Sequence, residues 1–133
     1  MSHIREACEC GIYTRPVDSG THRGINWHTH EAPTYGVNGY MQIPEDHPWR
    51  ELTYWEINYL KWDSGAVRLD SGANELTYDM GDMDGGWVGF DTQRAMDCWV
   101  GAPYQWGFQW TPELVAVNAR RWCDLIAEAG DAL

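Results

Sequence analysis

The chain has 133 residues, of which 44% are hydrophobic, and 20 acidic against 9 basic side chains give it a formal net charge of −11. This length and apolar content suit one domain, residues 1–133, with a single core. The excess of carboxylates argues against binding to duplex nucleic acid, because phosphate contacts require clustered Lys and Arg. No run approaches the ~18 consecutive apolar residues of a membrane span, and residues 1–6 lack the apolar core of a signal peptide. We therefore expect no membrane association and a cytoplasmic location.

The greater part of the chain has the composition of strands and turns. Aromatic and β-branched residues predict strands in four segments, at 36–43, 53–62, 74–80 and 86–90. Residues 11–14 and 24–27 could add one or two more. Turns are predicted where glycine and aspartate are frequent, at 63–65, 70–72 and 81–86.

The C-terminal part predicts one long helix over 112–129. Thr111 suits the N-cap, Pro112 suits the first helical position, and Gly130 stands where a C-cap glycine would. Apolar residues recur at the spacing of one helix face: Val115, Ala119, Trp122, Ile126 and Ala129. Strands followed by a helix, without alternating βαβ units, predict an α+β fold. We expect an antiparallel sheet of about four to six strands with the long C-terminal helix packed on one face.

Nine tryptophans and seven tyrosines exceed what one core of this size normally requires. Trp and Tyr combine a large rigid apolar area with one polar atom, which suits ligand pockets and protein interfaces as well as cores. Some of these rings should therefore be partly exposed, although core packing and cross-strand pairs are an open alternative. Because a small domain encloses a polar ligand more fully between subunits than within one, we expect a homo-oligomer.

Two residue patterns resemble pairs of metal ligands. Cys8 and Cys10 are separated by one residue, whereas zinc sites usually have two to four residues between cysteines. His28 and His30 alternate in a polar segment, so both imidazoles could point to one face of a strand, but surface histidines explain them more simply. We expect reduced cysteines and no bound metal or other cofactor. No spacing indicates a catalytic group, so an enzyme is not expected, and a metal-dependent hydrolase using the two histidines is kept as an alternative.

Three segments, in this order, resemble a family of small proteins found widely in bacteriophages and prophages. GYMQIPEDHPW at 39–49 is similar to the family's Gly-Tyr-Val-x-hydrophobic-Pro-x-x-His-Pro stretch, and LTY at 76–78 stands where the family carries His-Gly-Gly-Leu-Thr-Tyr. GWVGFD at 86–91, followed by Asp97, is similar to the family's Trp-hydrophobic-Gly-Phe-Asp-x-x-His-x-Gly-Asp. A C-terminal helix that contains a cysteine, here Cys123, completes the order.

The chain departs from the family's pattern at Arg94, where the family has His, and at Met96, where it has Gly. The resemblance implies a phage or prophage origin, and hence the cytoplasm of the host cell, but no particular reaction. Phage proteins of this size often act against host defence, including as sponges that sequester a nucleotide-derived immune signal. We expect such a counter-defence binding protein. The alternative is an acidic inhibitor or nucleic-acid mimic that binds a basic host defence protein, which the net charge favours.

The predicted ligand site is centred on a cluster of an acid, a base and an acid, formed by Asp91, Arg94 and Asp97. The carboxylates could accept hydrogen bonds from ribose or base edges, and the guanidinium could bind a phosphate. An internal ion-pair network that fixes the loop is the alternative. An aromatic ring, Trp87 or Tyr78, would stack on the base.

Two further residues of the motif segments, Thr77 and His47, complete the predicted ligand site. His47 lies between Pro44 and Pro48 in the sequence. Its alternative role is therefore to cap the turn that the two prolines make rigid.

Overall fold

A computed structural model describes residues 12, 14–33, 36–63, 75–79, 85–92, 97–99 and 108–131, with the backbone alone for 61–63, 97–98 and 108–109. Its strands, in chain order, are β1 (Pro16–His22), β2 (Ile25–Glu31), β3 (Val37–Gln42), β4 (Tyr78–Asp79), β5 (Trp87–Phe90), β6 (Asp97–Trp99) and β7 (Phe108–Trp110). The helices are α1 (Tyr54–Asp63), between β3 and β4, and α2 (Pro112–Asp131), after β7. Neither of these helices has the length and apolar character that crossing a membrane requires.

Five strands form one antiparallel sheet in the order β1-β2-β3-β5-β4, while β6 and β7 pair in parallel. A two-residue turn joins β1 to β2 at Arg23 and Gly24, whose φ angles of 53° and 80° have the sign that a type I′ hairpin requires at both positions. Helix α2 packs against β1, β2 and β3. The predicted α+β class, with an antiparallel sheet and a long C-terminal helix on it, is thus confirmed.

Helix α2 has the cap and the apolar face that the sequence predicts. The N–H of Leu114 donates to Thr111 Oγ1 at 3.1 Å, and one side of the helix is fully buried at Val115, Ala119, Trp122 and Ile126. The predicted C-cap is wrong, since the helix continues through Gly130 to Asp131 and Gly130 has no positive φ. Gly130 lies instead against the ring of His47, where a Cβ would come within 3.1 Å of His47 Cδ2.

The segment 53–62 was predicted to be a strand and instead forms helix α1. Thr53 and Glu56 make a reciprocal capping box: the N–H of Thr53 donates to Glu56 Oε1 at 2.9 Å, and the N–H of Glu56 donates to Thr53 Oγ1 at 3.3 Å. The first helical N–H, on Tyr54, donates to Asp79 Oδ2 at 2.9 Å. These bonds satisfy N–H groups in the first turn of the helix, which in a strand would donate to a neighbouring strand. The aromatic residues led to the wrong prediction of a strand. Their frequency in strands reflects how their side chains pack on a half-buried surface, and it does not fix the backbone conformation.

Other strand predictions change in extent. The segment 24–27 is the beginning of the longer β2, and the sequence analysis missed its partner β1. Within 74–80, the described residues form only the two-residue β4. In 11–14, Thr14 belongs to no strand, and residues 11 and 13 lie outside the described residues.

The predicted turn at 81–86 ends in Gly85 and Gly86, whose φ angles of 62° and 73° fit a glycine turn. Residues 81–84 of that segment lie outside the part of the chain that the structure describes. So do the other two predicted turns, at 63–65 and 70–72, apart from the end of α1 at residue 63.

The main core lies between α2 and one face of the sheet. Met41, Val88 and Phe90 point toward the helix and are at most 3% exposed. Phe90 stacks on Trp110 with the ring centroids 6.1 Å apart. Because successive side chains of a strand point to opposite faces, the chain neighbours of these residues point away from α2.

Candidate functional site

The sheet face opposite α2 is lined by imidazole and aromatic rings. We call it the histidine–tyrosine face and define it by His28, His30, Tyr40, Tyr78 and Trp87. Strand register brings these distant positions together, because one cross-strand row runs through His28, Tyr40, Gly89 and Tyr78. The face therefore joins residues of β2, β3, β4 and β5 into one surface.

Tyr40 occupies the middle of this face and contacts rings on both sides. Its ring meets His30 edge-on, with centroids 5.8 Å apart, and it meets Tyr78 in the same way at 5.8 Å. Tyr40 lies over Gly89, where a Cβ would come within 2.5 Å of Tyr40 Cδ1. The missing side chain at Gly89 is thus what lets Tyr40 bridge the histidine and the second tyrosine.

Trp87 presents a buried hydrogen-bond donor on the same face. The residue is 2% exposed, and its ring lies 4.6 Å from the ring of His28. Its Nε1–H is buried and has no acceptor among the described residues. Gln42, the cross-strand neighbour of Trp87, uses its Oε1 to accept from Asn26 at 3.0 Å. A buried N–H that lacks an acceptor costs about 1 to 3 kcal/mol, so this donor would gain from an acceptor on a ligand.

The two rings predicted to stack on a base differ in exposure. Tyr78 is 37% exposed, whereas Trp87 is 2% exposed. A base can reach the Tyr78 ring from solvent, whereas Trp87 Nε1 is buried and Ile12 packs against Trp87 and Tyr40, so a ligand would meet the indole N–H only by displacing this cover. We therefore assign stacking to Tyr78 and hydrogen bonding to Trp87 in the functional argument below.

Thr77 and Asp91 are held together next to these rings. The N–H of Asp91 donates to Thr77 Oγ1 at 2.9 Å, and the N–H of Thr77 donates to Gly89 O at 2.8 Å. These bonds extend the pairing of β4 with β5 beyond the strand ends. The structure thus brings together the predicted site residues Thr77, Tyr78, Trp87 and Asp91.

The phenols of this face stay protonated at neutral pH. Burial raises the pKa of Tyr40; a hydrogen bond with Asn38 lowers it, and the nearby Tyr78 and Asp91 raise it again. Burial and the charge of Asp79 raise the pKa of Tyr78. Both hydroxyl groups can therefore donate as well as accept a hydrogen bond.

The two histidines do lie on one face, with ring centroids 6.1 Å apart, but the simpler interpretation of both as surface histidines is wrong for His30. His30 is fully buried; its Nδ1–H donates to the carbonyl of Thr14 at 3.0 Å, and burial lowers its pKa, which favours the neutral imidazole. Within the described ranges, no group of three or more His, Cys, Asp or Glu side chains is arranged to hold a metal ion. Cys8 and Cys10 lie outside those ranges.

His47 lies on the α2 side of the molecule, away from the other predicted site residues. Its Nε2–H donates to the carbonyl of Ile126 in α2 at 2.6 Å, and its Nδ1 accepts from the N–H of Trp49 at 2.9 Å. These two bonds select the tautomer with the proton on Nε2. The backbone N–H of His47 also donates to the carbonyl of Pro44 at 3.1 Å. Together with the bond from Trp49 N–H to the ring, this agrees with the turn-capping alternative.

The remaining members of the predicted cluster are beyond what the structure describes. Arg94 lies outside the described residues, and Asp97, the first residue of β6, is described by its backbone alone. Their pairing with Asp91 therefore remains a prediction.

A separate cavity of about 360 Å³ lies beside His47, between the β1–β2 turn and the end of α2, and its lining includes Arg23, Pro44, Asp46 and Asp131. The guanidinium of Arg23 lies within 3.7 Å of three carboxylates on α2, those of Asp124, Glu128 and Asp131. This pairing offsets the positive charge that could otherwise attract a phosphate into the cavity.

Cys123 is a buried core residue. It is a free thiol, as expected from the sequence, and burial raises its pKa to about 12. The thiol is therefore protonated at neutral pH and is not suited to nucleophilic chemistry.

Sequence analysis missed Tyr40 as a member of the site. The signal was present in β3, where apolar and polar residues alternate so that Asn38 and Tyr40 share the face opposite Met41. What the sequence could not supply was the register that sets Tyr40 against His28 and Gly89.

Comparisons with protein-family models, with curated proteins and with solved structures find no match for this chain. The phage resemblance therefore rests on the motifs of the sequence, and function must be inferred from the site.

Proposed function

We propose that the protein is a binding protein that sequesters a small nucleotide-derived molecule on its histidine–tyrosine face. Following the resemblance to phage proteins, we further propose that it acts in phage counter-defence by removing an immune signal of the host cell. The base of the ligand would stack on Tyr78. An acceptor on the ligand would meet the indole N–H of Trp87, and the Asp91 carboxylate would accept from a ribose hydroxyl or a base amine.

One observation supports this proposal above the others: an exposed aromatic ring and a buried donor lie on the same small surface. Tyr78 is 37% exposed, and the Trp87 Nε1–H has no acceptor among the described residues. Trp87 is two residues from Gly89, the cross-strand partner of Tyr78, so the two sites are about 7 Å apart along the strand. That separation suits a ligand that stacks its base on Tyr78 and, by displacing Ile12 from Trp87 and Tyr40, accepts a hydrogen bond from the indole.

The energies of these contacts are moderate. Stacking of a base on an aromatic ring contributes about 1 to 3 kcal/mol, and a satisfied neutral hydrogen bond contributes about 0.5 to 1.5 kcal/mol. The net charge of −11 opposes the approach of phosphates. A phosphate-bearing ligand would therefore need Arg94 near the face, as the sequence analysis predicts.

Calorimetric titration of the wild-type protein with cyclic dinucleotides and ADP-ribose derivatives tests this function. We expect at least one of these ligands to bind. Tyr78→Ala should then lower the affinity about tenfold, or 1.4 kcal/mol, through the loss of stacking. Tyr78→Phe is the matched control, because it keeps the ring and removes only the hydroxyl.

Arg94→Ala should lower the affinity for a phosphate-bearing ligand by a similar factor and leave the melting temperature of the empty protein nearly unchanged. If none of these ligands binds below about 100 μM, the sequestration function is wrong.

The homo-oligomer expected from the aromatic excess stays part of this proposal, since a second subunit would enclose a ligand on the exposed Tyr78 ring more fully. Light scattering at micromolar concentration measures the mass directly. A strictly monomeric mass would contradict the oligomer and leave the ligand exposed to solvent on one side.

A further inference from the structure

Helix α1 exposes large apolar side chains that the sheet-face site does not use. Trp55 is 61% exposed, Tyr59 is 64% exposed and Leu60 is 42% exposed. Trp55 and Tyr59 are four positions apart, so they lie next to each other on one side of the helix. Aromatic residues displayed in this way are enriched at protein interfaces.

The exposure of these rings is fixed by the way α1 is attached. On its inner side Ile57 is fully buried, and the Asn58 side chain makes two hydrogen bonds with the backbone of Leu76, each 2.9 Å long. The inner side cannot rotate outward without breaking these contacts. Trp55 and Tyr59 are therefore held toward solvent on a rigid support, which lowers the entropic cost of binding through them.

The described charges next to this surface are mainly acidic. Glu51 is exposed just before the helix, and Glu56 lies in its first turn, where its Oε1 accepts from Thr53. Among the cations whose side chains the structure describes here, Arg50 turns its guanidinium to the carbonyl of Ile43 at 3.1 Å. With the net charge of −11, this surface attracts positively charged groups.

A second copy of the chain is a poor occupant of this surface. In a two-fold contact the same patch meets itself, so Glu51 and Glu56 of one copy would approach the same residues of the other. Like charges brought together at an interface are destabilising. A basic partner is instead attracted by these carboxylates. The contact it would make already occurs within the chain, where the Arg120 guanidinium lies 5.5 Å from the ring centroid of Trp27.

We propose that the surface formed by Trp55, Tyr59 and Leu60 binds an arginine-rich segment of another protein. A guanidinium stacks on the exposed indole of Trp55, and the flanking carboxylates of Glu51 and Glu56 draw the basic segment to the helix. This binding is independent of the nucleotide site, which uses the other face of β4 and β5.

A nonaarginine peptide is the probe for this surface, with nonalysine for comparison, titrated into the full-length protein at low and at physiological salt. We expect nonaarginine to bind more tightly than nonalysine, because a guanidinium stacks on an aromatic ring better than an ammonium does. The double variant Trp55→Ala/Tyr59→Ala should weaken nonaarginine binding about tenfold or more. Both side chains are exposed, so the variant should keep its helical circular dichroism signal.

Val17→Ala is the matched control, because Val17 is 43% exposed on β1, at the opposite edge of the sheet from β4. It should leave peptide binding unchanged. Equal affinity of the double variant and the wild type would mean that only the net charge attracts the peptide, and would overturn the proposal. So would the absence of binding, or a wild-type dimer that the double variant converts to a monomer, which would make a second copy the occupant. None of these results bears on nucleotide binding at Tyr78.

Discussion

Helices α2 and α1 pack against the same core, but different interactions hold them in place. Helix α2 buries a continuous stripe, in which Val115, Trp122 and Ile126 have no exposed surface, and a single threonine caps its N-terminus. Among the side chains of helix α1 that the structure describes, Ile57 is fully buried and Tyr54 is partly buried against the core. Three polar attachments add to this packing: the capping box, the bond from Tyr54 N–H to Asp79 and the pairing of Asn58 with Leu76.

This difference shows how polar contacts help to hold a short helix in which few of the described side chains are buried. An isolated helix of ten residues is marginal in water, because nucleation is unfavourable and few hydrogen bonds follow it. Polar contacts from distant parts of the chain add to the packing of Ile57 and Tyr54, while Trp55 and Tyr59 face solvent. Apolar burial should therefore dominate the response of α2 to mutation, and hydrogen bonding that of α1.

Trp122→Ala should have the largest effect on stability. The ring has no exposed surface, and its removal from the α2 core should cost about 3 to 5 kcal/mol through lost burial and the cavity left behind. Urea denaturation measures the change. Trp55→Ala is the matched control, since the same substitution on the exposed side of α1 should change the free energy of unfolding by less than about 0.5 kcal/mol. Equal effects of the two substitutions would contradict the docking of α2.

Asn58→Ala should have an intermediate effect, of about 2 to 4 kcal/mol. The substitution removes both hydrogen bonds to Leu76 and leaves a backbone N–H and a carbonyl unpaired in a region where Leu76 is 1% exposed. Urea denaturation gives the loss of stability, and hydrogen exchange should show faster exchange of the Leu76 amide. An unchanged exchange rate would show that the amide bond does not hold α1 to this segment.

The difference between the two helices also explains which parts of the fold could be predicted from the sequence. Helix α2 was predictable because its cap and its stripe are local patterns between Thr111 and Ile126. The aromatic residues of helix α1 predict a strand, although Thr53 and Glu56 have the spacing of a capping box. The contacts of Asn58 with Leu76 depend on chain folding over a long separation, and no local pattern reports them.

The candidate site divides in a similar way. Thr77, Tyr78, Trp87 and Asp91 were predicted because they lie in two motif segments, and β4 pairs with β5 to bring them together. Tyr40 also lies in a motif segment, 39–49, but its place in the site depends on the register of β3 against β5. That register cannot be derived from spacing along the chain, since it is set by the whole sheet.

Thr53→Ala should have the smallest effect of the three stability changes and is the most direct test of the local part of α1. The alanine removes the hydroxyl that accepts from the N–H of Glu56 at 3.3 Å and donates to Glu56 Oε1 at 3.0 Å. Loss of an N-cap typically costs about 1 kcal/mol. Thr53→Ser keeps the hydroxyl and should retain most of the stability in urea denaturation. If alanine and serine are equally stable, the Thr53 hydroxyl does not stabilise α1, and its attachment rests on the packing of Ile57 and on the bonds to Asp79 and from Asn58. A loss much larger than 1 kcal/mol would instead mean that the cap also positions the segment around Leu76, because the helix could then no longer present Asn58 to it.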